Sequence, residues 1–186
     1  MDRLQKAALL TRLIQKLREQ GSWCGETHIQ KAVNFVQDLA GVPIGFNFVL
    51  YKHGPFSFDL RDELTALRAD DLLTLEPQSP PYGPRVAVTD RSEYIQSVFA
   101  KTLAAYDDRL AFIADKLGGK NVTELERLAT ALFVTHRAEP GVPAADRVKE
   151  LRRLKSHISS EKAQEAIMEI DQFTEQAGEL FRRAHL

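Results

Sequence analysis

The chain has 186 residues, enough to bury most of its unfolded surface as one domain with a helical extension or as two small domains, with no disulfide or metal needed. Its 25 basic and 26 acidic side chains nearly cancel, which removes any global pull toward nucleic acid or an anionic bilayer. A single cysteine, Cys24, excludes an internal disulfide framework and suits a reducing, cytoplasmic setting, and no apolar run approaches the roughly 18 residues of a membrane span.

Leu4, Ala7, Ala8, Leu10, Ile14 and Leu17 predict an amphipathic first helix stopped by Gly21, with Arg3, Lys6, Arg12, Lys16 and Arg18 on its polar side. A second helix from about Thr27 carries Ile29, Ala32, Val33, Val36 and Leu39 in one stripe, with Gly41 after its end. Ile44, Phe46, Phe48 and Leu50 then alternate with Gly45, Asn47, Val49 and Tyr51, the pattern of a strand with one buried face. Gly54-Pro55 turns the chain, and Ser57 caps a third helix in which Leu60, Leu64 and Leu67 continue a stripe begun by Phe56. Leu72 to Glu76 and Arg85 to Thr89 predict a hairpin around the stiff, Pro-rich loop from Pro77 to Pro84.

From about residue 91 the pattern is wholly helical. Ile95, Phe99, Leu103, Tyr106, Leu110, Ile113 and Leu117 recur nearly as heptads, a seam that can pack on the last helix or across a dimer. Asn121 and Glu124 are spaced as a capping box for the next helix. A short helix with Val148, Leu151 and Leu154 follows, and Ser159 or Ser160 caps a final one along Ala163, Ile167, Ile170 and Phe173. The expected fold is α+β and mainly helical: a winged-helix-like half with a small sheet over residues 1–90, and a helical region over residues 91–186 packed on it. The same element order also suits an α+β domain with no nucleic-acid role.

Catalytic motifs are missing: there is no phosphate-cradling Gly-rich loop, no His-Glu-x-x-His, no Cys-x-x-Cys and no Gly-x-Ser-x-Gly. Cys24 with His28 offers a thiol and a base, but a Cys packed beside Trp23 at a helix entrance is the simpler reading. The histidines, His28, His53, His136, His157 and His185, are scattered one to an element, so no metal or other cofactor is implied. His53, just before Gly54-Pro55, suits a backbone hydrogen bond in the turn.

Charge decides between partner classes. The third helix holds Arg61 and Arg68 against Asp59, Asp62 and Glu63, with Asp70 and Asp71 directly after it. Acidic side chains on a groove-reading helix repel phosphates. A nucleic-acid patch would therefore rest on Lys6, Arg12 and Lys16 of the first helix, or on Arg147, Arg152 and Arg153 in the basic run from Arg147 to Lys155. A protein contact fits better, with Tyr51, His53, Phe56, Arg61 and Tyr82 as its candidate residues.

Thr27-His-Ile-Gln-Lys-Ala-Val-Asn-Phe35 resembles the opening motif of the Panacea (SocA-like antitoxin) and YwgA-like bacterial proteins, which tend to read Lys-Leu-Gln-Lys before an apolar helix. Their Tyr-Gly-Pro-aromatic-Ser motif is similar to Tyr51-Lys-His-Gly-Pro-Phe-Ser57, and Leu151-Arg-Arg-Leu-Lys-Ser-His157 resembles a further segment of the YwgA-like branch. The chain departs from the pattern at His28-Ile29, and at Asp70-Asp71 where a Gly usually follows the third helix. The resemblance implies a non-enzymatic regulatory module, antitoxin-like or an adaptor, whose partner is a toxin or a protease-delivered client. A winged-helix DNA-binding regulator is the alternative, and monomer and homodimer both stay open.

Overall fold

The computed structural model describes residues 1–80 and 82–183, so Pro81 and His185 lie outside the described residues. The elements in order are α1 (Arg3–Glu19), α2 (Glu26–Asp38), β1 (Val49–Tyr51), β2 (Gly54–Phe56), α3 (Phe58–Ala69), β3 (Leu73–Glu76), β4 (Arg85–Val88), α4 (Asp90–Val98), α5 (Ala100–Leu117), α6 (Val122–Arg137), α7 (Ala144–Leu154) and α8 (Ser160–Arg183). The protein is mainly helical α+β; among the described residues two small antiparallel sheets lie in the first half and helices alone in the second. No helix among the described residues is long and apolar enough to cross a membrane.

Local signals set the helix ends. Asp2 and Gln5 close a capping box on α1, and Asn121 and Glu124 close one on α6, each satisfying two otherwise orphaned N–H groups. Ser57 accepts from Leu60 N at 3.2 Å to start α3, and Ser159 accepts from Lys162 N at 3.3 Å to start α8.

One apolar core runs through both halves. Leu10, Ile14 and Leu17 of α1 are buried with Leu110, Ile113 and Leu117 of α5, and Val33 of α2 is buried with Leu125 and Leu128 of α6. α1 is more deeply embedded than an amphipathic surface helix: Leu9 and Leu13 are buried as well, while Leu4 is 51% exposed. The heptad-like seam packs within the chain, chiefly against α1 and less on α8, and it is interrupted at Phe99, whose φ of −103° and ψ of 30° separate α4 from α5. At the end of α5 the chain passes so close to α1 that a Cβ on Gly118 would collide with the Gln20 side chain and lie 2.9 Å from the Gln20 carbonyl.

The predicted strand from Ile44 keeps its alternation of burial, with Ile44, Phe46 and Phe48 inside and Gly45, Asn47 and Val49 outside. Only Val49–Tyr51 forms a ladder, however, and its partner is β2, with Val49 opposite Phe56 and Tyr51 opposite Gly54. The β3–β4 hairpin, with Leu73 opposite Val88 and Glu76 opposite Arg85, is a separate sheet. The upstream part of the segment takes hydrogen bonds from α2 instead: Gln37 accepts from Phe46 N at 2.8 Å and donates to the Phe46 carbonyl at 2.9 Å. A side-chain amide thus replaces a neighbouring strand.

Candidate functional site

The β1–β2 hairpin turns through Lys52 and His53, and the interior holds it from below. Gly54 has a φ of +85°, and a Cβ there would lie 3.2 Å from Thr130 Oγ1 and 3.4 Å from the Glu126 carbonyl, so glycine is needed both for the conformation and for the approach of α6. Lys31 of α2, 1% exposed, donates to the Pro55 carbonyl at 2.8 Å. Lys155, just past α7, donates to the Lys52 carbonyl and to Glu126 Oε1 at 2.8 Å. His53 Nδ1 lies 3.4 Å from Glu126 Oε2, so His53 faces a carboxylate rather than the turn backbone expected from sequence. Gln30 adds a two-point contact with Ser57, donating to its carbonyl and accepting from its N–H, both at 2.9 Å.

The electrostatics follow from this crowding. Burial pushes the Lys31 ammonium down to about 8, with Lys155 adding to the depression and Glu126 opposing it. Burial also works against ionisation of Glu126, but hydrogen bonds and charge from Lys155 and His53 outweigh it and hold that carboxyl below its ordinary value. Two ammonium groups and one carboxylate therefore fix a short hairpin that strand pairing alone would leave marginal.

Above this anchor lies an aromatic triangle. Tyr51 and Phe56 have ring centroids 5.8 Å apart, Tyr51 and Phe58 5.7 Å, and Phe56 and Phe58 5.1 Å, the last two pairs edge to face. Tyr51 is 58% exposed and Phe58 43%, and the Arg61 guanidinium stands 5.3 Å from the Phe58 ring. Of the residues predicted for a protein contact, Tyr51, His53, Phe56 and Arg61 thus gather on the hairpin and the first turns of α3. Tyr82 is placed elsewhere, against Trp23 at 5.0 Å.

The basic residues considered for nucleic acid are dispersed and largely engaged. Lys6 lies over the Phe46 ring at 5.3 Å. Arg12 and Lys16 both hold Asp107 at 3.0 Å; burial of that carboxyl works against its ionisation, and the two cations still keep it below its usual range. Arg147 forms a two-point pair with Asp171 at 2.6 and 2.8 Å, Arg153 binds Glu150 at 2.7 Å, and Arg152 is exposed. Cys24 is fully buried with its thiol 3.8 Å from the Ile14 carbonyl, and burial drives it to about 12, so no thiolate is available at neutral pH. His28 is buried and its pKa lowered for the same reason. No cluster of three or more metal-ligating side chains occurs among the described residues.

Chemistry-based reading of the sequence misses Gln30, Lys31, Glu126, Lys155 and Phe58. One signal was available: Gln30, Asn34 and Gln37, spaced by four and three, form a polar stripe beside the apolar one of Ile29, Val33 and Val36. Against protein-family models and curated proteins alike, the chain has no match.

Proposed function

We propose that this chain is a non-enzymatic regulatory protein that acts by contact with another protein, in an antitoxin-like or adaptor role in the cytoplasm. The observation that carries this reading is the triangle of exposed Tyr51 and Phe58 with half-buried Phe56, Arg61 beside it, on a hairpin fixed by Lys31, Lys155 and Glu126. Tyr and Arg are favoured where a few residues dominate binding, and rings held rigidly lose little entropy when a partner arrives. The similarity of Thr27–Phe35 and Tyr51–Ser57 to the Panacea and YwgA-like motifs supports the same reading. Duplex binding through α1 or through Arg147–Lys155 has less support, because Arg12, Lys16, Arg147 and Arg153 are spent on Asp107, Asp171 and Glu150.

Affinity capture from the native host tests the proposal, comparing wild type with a Tyr51→Ser, Phe58→Ser double variant that unfolds at the same temperature. A partner recovered in stoichiometric amount by wild type and reduced about tenfold or more in the variant is the expected result. Recovery of the same proteins by both, or of no protein by either, overturns it.

A further inference from the structure

Between the start of α2, α3, the β3–β4 hairpin and the turn before α6 lies a cavity of about 820 Å³, within the size range of small-molecule sites. Four cations line it, Arg61, Arg68, Arg85 and Lys120, with Glu26 as the opposing carboxylate among the described lining residues. Arg61 and Lys120 are already paired, with Asp62 at 3.0 Å and Glu169 at 2.7 Å. Among the described residues Arg68 donates to Thr65 Oγ1 at 3.1 Å, and Arg85 to the carbonyls of Trp23 at 3.2 Å and Ser22 at 3.5 Å, with its guanidinium 5.4 Å from the Trp23 ring. Among the described residues neither has a carboxylate within ion-pair distance, so two guanidinium groups with unspent charge border one concavity.

The net negative charge of α3 does not oppose an anion here. Glu63 and Asp70 are both drawn to Arg3 of α1, at 3.0 and 2.7 Å, while Arg61, Leu64, Thr65 and Arg68 line the cavity. Its aromatic wall is Trp23 with Tyr82, ring centroids 5.0 Å apart, and Tyr82 is 63% exposed. Gly25, which starts α2 without a side-chain cap, lines the same space and leaves the helix's first N–H groups unblocked by a cap.

We propose that this cavity is a nucleotide site, with phosphate held at Arg68 and Arg85 and the base lying against Tyr82 and Trp23. Guanidinium groups match phosphate oxygens in pairs, and bases stack on aromatic rings with little dependence on base identity. An acidic peptide would satisfy the arginines but leave the rings without a planar partner. The nucleotide can be free or part of a single strand, since both present the same phosphate and base. This site shares Arg61 with the protein contact proposed above, but Arg68, Arg85, Trp23 and Tyr82 lie outside that triangle and the proposal does not depend on it.

Trp23 is the chain's one tryptophan, so its emission reports on this cavity alone. The full-length protein is titrated with ATP, a short oligothymidylate, inorganic triphosphate and an oligoglutamate peptide across a salt series. Saturable change with ATP is expected if the source is a free nucleotide, and with the oligothymidylate alone if it is a strand; either response weakens as salt rises. Arg68→Gln, at a side chain whose hydrogen bond to Thr65 stays within its own helix, should raise the dissociation constant roughly tenfold, as should Arg85→Gln. Tyr82→Ala should weaken binding while Tyr82→Phe preserves it. The proposal is overturned if neither nucleotide ligand gives a saturable response. It is equally overturned if inorganic triphosphate or oligoglutamate binds as tightly as the better nucleotide, or if a folded Arg68→Gln protein binds like wild type.

Discussion

Gln30 holds both backbone groups of Ser57, the carbonyl and the N–H, at 2.9 Å each, across 27 residues of chain. Ser57 is fully buried at the start of α3, where its N–H and C=O have no strand to pair with. Seven residues along the same helix Gln37 does the same for Phe46. The second helix thereby acts as the neighbouring strand for a segment that pairs with a true strand only at its end. Gln30→Ala should cost about 1–3 kcal/mol, because the buried Ser57 N–H loses its partner while the carbonyl keeps the Arg61 N–H at 3.2 Å. Urea unfolding checks this, and an unchanged midpoint would contradict it. Gln37→Ala should cost less, since one of its contacts is to Gly45, which is exposed and open to water.

Asp71 ends α3 in the left-handed region with a φ of 57°, the position where helices favour glycine. Its N–H reaches the Arg68 carbonyl at 3.1 Å, and Leu72 N reaches the Leu67 carbonyl at 2.9 Å, so the terminating motif forms despite the side chain. Asp71→Gly keeps these bonds, and the one from Thr89 to the Asp71 carbonyl, while relieving the backbone. The variant should gain about 0.5–1 kcal/mol and unfold about 2–4 °C higher in a thermal scan. A lower melting temperature would mean that the aspartate side chain contributes something beyond the turn.

Short-range signals in the sequence located much of this fold, and relationships between distant segments it concealed. The box of Asn121 and Glu124, the alternation from Ile44 to Phe48 and the β3–β4 hairpin are all written within a few residues. The break at Phe99 is not, because no Gly or Pro marks it and the apolar seam continues through it. The partner of β1 was hidden because Pro55 reads as a turn residue; it sits opposite Leu50, and Pro has no N–H to give a ladder. The charge of α3 misled for a related reason. A sum over a helix is not what a ligand meets, and Arg3, 60 residues away, takes Glu63 from the exposed balance. Tyr51 could be placed on the outer face of the strand from its alternation alone, whereas the ammonium groups beneath the hairpin could not be seen, because burial of a lysine is decided by tertiary packing.

Cys24 has no exposed surface and a thiol raised to about 12, so a disulfide reagent should not modify the native protein on the time scale of ordinary thiols. Its labelling should instead follow opening of the fold and accelerate with urea in step with loss of ellipticity. Reaction of the folded protein at the rate of a free cysteine would show an activated thiol and reopen a nucleophilic role for the Cys24–His28 pair.

Lys31 makes a stability prediction whose sign depends on pH. Its ordinary value of 10.5 falls to about 8 in the fold, so between those values the unfolded chain keeps a proton that the native state has released. Stability attributable to this group therefore rises with pH from about 8 to about 10.5, while below 8 the full cost of burying the ammonium is present. Lys31→Met removes the titration but leaves the Pro55 carbonyl without its donor, two effects that oppose one another at pH 7. Urea unfolding of both proteins at pH 7, 8, 9 and 10 separates them. The difference, wild type minus variant, should climb through this window at up to roughly 1.4 kcal/mol per pH unit, while the neutral-pH offset stays modest. Parallel curves would mean that Lys31 titrates as it does in water, and the hairpin anchor would then have to be a hydrated contact rather than a buried one.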